Sequence, residues 1–259
     1  MESDEVETVF VAGASGGTGR AVLRLLGPRV PTVRALTRSP GKRDTLRRAG
    51  ADEVVVDDLL DPRHLDDALA DVDAVVSAVG SDITDAFASG PFVDGEGAQT
   101  LLDAAVAADV DAFVMESALG VGDEPASPLA TAFEAVIAPI QRAKAETEAA
   151  LRASPVRHTV LRPGVLTNGP RTDDVTVAEP GAKLFGSVSR ADVARLLVAA
   201  PVTERAADAT FEVVATPSFP DRAVDVDWQL PAPAGDDSGG SDGDSAVPVD
   251  VVGEGSQGE

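Results

Sequence analysis

Residues 9–26 read VFVAGASGGTGRAVLRLL, and the fold of the chain can be worked outward from them. Val9 to Ala12 form an apolar run of strand length. Glycines follow at Gly13, Gly16, Gly17 and Gly19, and a leucine- and alanine-rich helical stretch begins at once. At a strand–turn–helix junction, glycines serve a tight turn, a close approach of backbone to a pyrophosphate, and close packing of helix on strand. The unpaired N–H groups and positive dipole end of such a helix suit an anion. The spacing therefore predicts a dinucleotide seated at Gly13–Gly19, with Ser15 and Thr18 beside the glycines.

Two other readings of the same residues fail. Gly13 to Gly17 fits G-x-S-x-G, the nucleophile elbow, but a hydrolase would also need an acid and then a histidine downstream. His158 is the only histidine well after the loop, and the elbow would sit on the first strand. A nucleotidase phosphate loop needs Gly-Lys followed by Ser or Thr, which this stretch lacks.

Further along, valine-rich runs alternate with helical stretches, the pattern of repeated βαβ units. Strands are expected at Thr8–Ala12, Thr32–Leu36, Glu53–Val56, Ala74–Ala78, Ala112–Met115, Thr159–Leu161 and Phe211–Val214. Helices are expected at Thr18–Leu26, Lys42–Ala49, Arg63–Leu69, Gly97–Ala108, Pro139–Ala153 and Arg190–Ala199, with Asp61-Pro62 as N-cap and first residue of the third. Several strands carry too few polar residues to be half exposed, which suits a parallel sheet covered on both faces. The expected class is α/β, a Rossmann-like doubly wound parallel sheet with helices on both faces. It forms a single domain over residues 1–216, and 217–259 is read as mostly a disordered acidic tail. Residues 163–189, rich in Gly, Pro and Asp, form a small substrate-covering segment at the carboxyl end of a strand.

Composition sets bounds. The 259 residues include no cysteine, which excludes disulfides, thiolate metal sites and a cysteine nucleophile. Two histidines, His64 and His158, cannot build a multi-histidine metal site alone, and no metal is expected. His64, amid Asp and Arg, reads as solvated surface, and His158 as a strand-end packing group. The acidic start MESDEVETVF shows no signal peptide, and no apolar run nears the roughly 18 residues that span a bilayer. A cytoplasmic location without membrane association is expected. The net charge is −23, and lysine occurs only at Lys42, Lys144 and Lys183. The seven acidic residues beyond position 230 supply less than a third of that charge. An acidic, lysine-poor surface resembles that of cytoplasmic proteins from salt-accumulating halophiles, the alternative being an acidic mesophilic protein. Either way the field repels nucleic acid.

Taken in order, the glycine loop, Ser117 in VMESALGVG, RAKAE around Lys144, LRPGVLT at Leu161–Thr167 and SRADVA at Ser189–Ala194 resemble a known family. It is the atypical short-chain dehydrogenase/reductase family, in its NAD(P)-binding, NmrA-like and flavin-reductase-like branch, and the resemblance spans about residues 6–216. It implies that Gly13, Gly16 and Gly19 line the pyrophosphate and that Asp58 and Leu59 flank the adenine. Ala78, Val79 and Gly80 would line the ribose, and Pro163 with Gly164 would lie near the nicotinamide.

The second strand ends Thr37-Arg38-Ser39, where NAD-selective proteins more often hold the ribose hydroxyls with an acid. Arg38, with Ser39, Lys42 or Arg43 as helpers, suits a 2′-phosphate, so NADP is the expected cofactor and NAD the alternative. Catalytic members carry Ser, Tyr and Lys, with Tyr four residues before Lys. Here Ser117 and Lys144 stand in place, but the tyrosine position is Ile140, and the chain contains no tyrosine at all. Losing a positioned general acid costs about 10²–10⁴-fold in rate. Lys144 is read as a ribose contact before a catalyst. Glu116 stays open between proton relay, partner of an arginine and cleft-edge side chain.

The leading functional expectation is an NADP-dependent oxidoreductase passing hydride to a small-molecule acceptor: a quinone, a flavin or a small carbonyl compound. The alternatives are a noncatalytic NAD(P)-binding redox-sensing regulator and a nucleotide-sugar epimerase or dehydratase. Charge makes the first prediction. Molar salt shortens the Debye length to about 3 Å and screens surface repulsion. The melting temperature should therefore climb steadily from about 0.1 to 2 M KCl, and a salt-independent melt removes the halophile reading.

Overall fold

The computed structural model describes residues 1–2, 5–80, 92–121, 128–215 and 222–233, with the side chains of 128–137 left aside. The strands are β1 Thr8–Ala12, β2 Thr32–Thr37, β3 Glu53–Val56, β4 Ala74–Ser77, β5 Ala112–Glu116, β6 Arg157–Pro163, β7 Val165–Thr167, β8 Val175–Ala178, β9 Ser187–Ser189 and β10 Ala209–Ala215. The α-helices are α1 Gly17–Leu26, α2 Arg43–Arg48, α3 Leu65–Leu69, α4 Ala98–Ala107, α5 Pro128–Ala153 and α6 Arg190–Ala199. Among the described residues no helix is long and apolar enough to cross a membrane.

The main sheet runs β3-β2-β1-β4-β5-β6-β10-β8, parallel throughout except that β8 is antiparallel to β10. Strand order reverses between β1 and β4. In open α/β sheets that is where the carboxyl ends of two strands diverge and leave a crevice.

Strand alternation divides the core into two layers. Val9 and Val11 point to one face with Val22, Leu23 and Leu26 of α1 and Leu196 and Leu197 of α6. Phe10 and Ala12 point to the other, against Leu65 and Leu69 of α3, Leu101 of α4 and Leu151 of α5. Full burial of such a side chain stabilises by about 1.5–3 kcal/mol relative to exposure, so both faces of β1 hold the layers together. That double burial is why the strand reads as an unbroken apolar run.

Three local expectations need correction. Asp61-Pro62 does not open α3, which begins at Leu65. Asp57 organises that turn instead: its carboxylate accepts from the backbone N–H of Asp58 (2.9 Å), Arg63 (3.0 Å) and His64 (2.8 Å). Burial pushes the Asp57 carboxyl up, but those donors outweigh it and hold it below the usual carboxylate range. Pro139 does not start α5 but lies within it. The alanine-rich residues before it continue the helix although proline removes one helical N–H. Residues 163–189 carry β8 and a two-stranded parallel sheet, β7–β9. The strands are three or four residues long, too short for a sequence period to show.

The third correction concerns the domain boundary at 216. Residues 222–233 lie along the domain: Val224 N donates to Val177 O (2.9 Å) and Gln229 N to Thr203 Oγ1 (3.1 Å). Val226 is buried in the α1/α6 core layer, with Val224, Trp228 and Leu230 packed against it. The Trp228 ring meets Phe211 edge-on at 5.6 Å. The remainder of the expected tail, from 234, lies outside the described residues.

The same stretch gives a second prediction. Trp228→Ala should destabilise the fold by roughly 1–3 kcal/mol, below the 3–5 of a fully buried aromatic because Trp228 is half-buried. Truncation after Pro233 should leave the thermal melt unchanged. Equal melting temperatures for Trp228→Ala and the unmutated chain would show that this strap contributes nothing.

Candidate functional site

The crevice at the β1/β4 divergence has a volume of about 560 Å³, within the range of small-molecule sites. Gly13, Ser15 and Gly16 form its floor. Thr37, Arg38, Ser39 and Lys42 line the β2 side, Asp57, Asp58 and Leu59 the β3 side, and Ala78, Val79, Gly80 and Val93 the remainder. Leu36 also borders it. Eleven of the residues singled out from the sequence therefore meet here: Gly13, Ser15, Gly16, Arg38, Ser39, Lys42, Asp58, Leu59, Ala78, Val79 and Gly80. Arg43, the third suggested helper, is outside the lining.

Each glycine has its own reason. Gly13 has φ +71°, and a Cβ there would lie 2.1 Å from the Ala78 carbonyl oxygen. Its requirement is set by the turn brushing past the end of β4. A Cβ on Gly19 would lie 2.3 Å from Gly13 O, so this glycine lets the helix fold back onto the loop. Gly17 is crossed by the Arg190 side chain, whose Cδ would stand 2.6 Å from an added Cβ. Gly17, Thr18 and Gly19 are not part of the crevice lining.

The β2 end is tied to the loop by a hydroxyl that the sequence reading passed over. Thr37 Oγ1 and Ser15 Oγ lie 2.8 Å apart, and Thr37 Oγ1 also accepts from Ser39 N (3.2 Å). That pair fixes the turn carrying Arg38, which is exposed over the crevice. Thr37 is the last, buried residue of β2, so a polar residue closing an apolar strand was its signal.

Ser117 and Lys144 come close together but outside the crevice lining. Lys144 is buried, with Nζ 2.9 Å from Asp94 Oδ1 and donating to Glu116 O at 3.4 Å. Asp94 sits in a π-helical turn, Val93–Gly97, ahead of α4. Thr147 Oγ1 of α5 donates to its carbonyl (2.9 Å). The Ser117 hydroxyl donates to Glu148 Oε1 at 2.6 Å. Glu148 is fully buried and also receives Arg162 Nε (3.0 Å) and Arg152 Nη1 (3.1 Å).

Lys144 and Glu148 stand four residues apart on one face of α5, so the helix clamps β5 through both. Removing one partner of such a buried pair typically costs about 3–5 kcal/mol. Ile140, one turn before Lys144, is buried and apolar. Pro163 is buried at the end of β6, where its carbonyl accepts from Leu119 N (2.8 Å).

Glu116 projects from β5 to the opposite face from Ser117. It is buried and accepts from Thr18 Oγ1 at 3.0 Å. Burial pushes its carboxyl above the usual range, opposed by Lys144, by the Thr18 hydroxyl and by Arg190. His158 lies at the start of β6, its Nδ1 3.2 Å from Asp208 Oδ1, at the opposite end of the strand from Pro163. Sequence reasoning missed Asp94, Glu148, Arg162 and Arg190. Lys144 and Glu148 at helical i, i+4 spacing were the available signal for one of them.

Comparison with known proteins agrees with this geometry. The NAD(P)H-binding family profile matches residues 13–204. The chain is 29% identical over 192 residues to the uncharacterized sugar epimerase YhfK of Bacillus subtilis, covering 74% of this chain and 86% of that protein. It is 29% identical over 258 residues to the sanguinarine reductase of Eschscholzia californica, covering 83% and 92%. A solved structure from Bacillus halodurans, named for an NAD-dependent epimerase/dehydratase, superposes with a TM-score of 0.70 at 27% identity. It covers 81% of this chain and 94% of that one. The chain therefore belongs to the NAD(P)H-binding family, with the doubly wound architecture of the atypical short-chain dehydrogenases/reductases.

Proposed function

We propose that this protein is an NADP(H)-dependent reductase that passes hydride to a quinone, flavin or small carbonyl acceptor. One observation carries the cofactor choice: Arg38 and Lys42 line the crevice at the end of β2, where Ser39 stands between them. Two cations there suit the 2′-phosphate, and the open mouth lets their side chains turn onto it. A charge-assisted hydrogen bond contributes about 1.5–3 kcal/mol, tenfold to a hundredfold in affinity. Leu59 offers an apolar wall for the adenine and Val79 one for the ribose, and Asp57 keeps its turn rigid beneath them. When bound, the reduced nicotinamide supplies a hydride, two electrons and one proton's mass, to the acceptor.

The protein's own part is binding, orientation and exclusion of water. With isoleucine at position 140, no side chain there donates a proton to a substrate oxygen. Quinones and flavins suit such a site, since they take hydride at carbon or ring nitrogen and draw the balancing proton from water. The relatives include both a sanguinarine reductase and a sugar epimerase, and the apolar residue at position 140 supports the reductase, since an epimerase needs acid–base work at a sugar. The committed hydrogen bonds of Ser117 and Lys144 favour a second reading, a noncatalytic cofactor-sensing regulator.

Two experiments decide. At one fixed salt concentration NADPH should bind about tenfold or more tightly than NADH, and Arg38→Asp should abolish the difference. Equal dissociation constants in the unmutated protein would sink the NADP assignment. With a quinone and flavin panel, Ser117→Ala should leave kcat within a fewfold, while Lys144→Ala, which removes a buried ion-pair partner outside the crevice lining, should lower the melting temperature with little change in kcat. A fall in kcat of about 10³ in either variant, the scale of a lost acid–base group, would instead mark a surviving catalytic set. Tight NADPH binding without reduction of any acceptor would hand the function to the regulator reading.

A further inference from the structure

We propose that Arg190 is a diphosphate-binding residue of the cofactor site, held over the glycine loop by the covering segment. The proposal rests on the reading of the crevice as a dinucleotide site. Arg190 opens α6, and its position is fixed by the helix cap: Ser189 Oγ accepts from Asp192 N (3.0 Å) and donates to Asp192 Oδ2 (2.6 Å). Asp192 in turn accepts from Thr172 N (2.8 Å) and Asp173 N (2.9 Å), tying the covering segment to the same cap.

From there the Arg190 side chain reaches across the first turn of α1. An added Cβ at Gly17 would lie 2.6 Å from its Cδ and 2.9 Å from its Nε. Gly17 is thus explained by the arginine it makes room for. The far end is anchored in the covering segment, where Nη1 donates to Asn168 Oδ1 (2.9 Å) and Leu166 O (3.3 Å). A guanidinium carries five N–H donors in a rigid fork. Those two bonds leave the Nε and Nη2 donors over, with Nε beside Gly17.

The crevice floor ends at Gly16, one residue before the arginine's crossing point. The first-turn N–H groups of α1 have no intrahelical acceptors. A dinucleotide with its adenosine half in the crevice must carry its two phosphate charges onward over this turn. In a protein of net charge −23, an anion there is opposed by the general field, so a fixed local cation is what the site needs. Glu116 is the carboxylate on the inner side of this region, bonded to Thr18. Burial pushes its carboxyl above the usual range, opposed in part by Arg190. Arg38 reads the phosphate that distinguishes NADP from NAD; Arg190 would read the diphosphate that both share.

The test is a titration of NADPH, NADH and ADP-ribose at one salt concentration against the unmutated protein, Arg190→Gln and Arg190→Lys, with thermal melts alongside. Arg190→Gln should weaken all three ligands by about the same factor, near tenfold. The NADPH-to-NADH ratio should stay unchanged, unlike the effect of Arg38→Asp. Arg190→Lys, which keeps the charge, should regain part of the loss. Unchanged ADP-ribose affinity in Arg190→Gln overturns the proposal, as does a lysine variant no better than glutamine. Should Arg190→Gln fail to fold, Asn168→Ala at an exposed position carries the test, with a twofold to threefold loss expected by analogy with one neutral hydrogen bond. No loss there overturns the proposal. If the unmutated protein binds none of the three ligands, the dinucleotide reading itself falls and takes this one with it.

Discussion

The contact on which the site depends is the passage of the β1–α1 turn against the end of β4. A Cβ at Gly13 would sit 2.1 Å from the Ala78 carbonyl oxygen, and the residue holds φ at +71°. Any other residue would have to push two central parallel strands apart or leave the left-handed conformation. The tightness lets β4 pair directly with β1, Ala12 opposite Ser77, while the chains beyond diverge. The crevice is the space left by that divergence. Most of its lining residues follow β1, β2, β3 and β4, joined by Leu36 and Thr37 at the end of β2 and Val93 ahead of α4.

A second constraint works under the surface. The chain carries a large negative charge, yet several of its buried carboxylates are matched. Asp94 faces Lys144 and Glu148 faces Arg162 and Arg152. Burying ions is costly unless they are paired and hydrogen-bonded, and these pairs join α5 to the π-turn, β5 and β6. The residues that occupy family catalytic positions have thereby acquired structural partners. Ser117 is engaged by Glu148 and Lys144 by Asp94, so their chemistry is tied to the packing of α5. This is a different economy from an exposed acid–base pair, and it accords with an apolar residue at position 140.

Residues 163–189 are attached at two points. Asp192 gathers the backbone N–H groups of Thr172 and Asp173. Burial would raise the Asp192 carboxyl, but the Ser189 hydroxyl and those N–H groups together hold it below the usual range. Arg190 attaches the preceding residues, Leu166 and Asn168, to the region above Gly17. One short SRAD stretch therefore caps a helix, ties down a loop and places a guanidinium beside the glycine loop.

What the sequence determined by itself was the class of fold and the set of residues that converge at the carboxyl ends of β1 to β4. Apolar runs buried on both faces, alternating with helical periods, admit few arrangements besides a parallel layered sheet. The glycine spacing after the first run names its first turn. Residues following strands β1 to β4 could be placed without coordinates, because in this topology every carboxyl end opens on one side. Arg38 was legible for that reason.

The alternation of Val224, Val226, Trp228 and Leu230 with Asp225, Asp227 and Gln229 was equally visible. The surrounding polar residues masked it, although period-two burial is the mark of an extended strap. Only the tertiary structure decided which charges meet. Asp94 and Lys144 are separated by fifty residues, and Gly17 and Arg190 by far more. Neither pairing leaves a local pattern, because each depends on helices from different βα units being stacked over the same strands. It also decided that Ser117 looks inward to Glu148. Side-chain direction on β5 follows from strand alternation and from the helix packed against it, and a motif read along the chain carries neither.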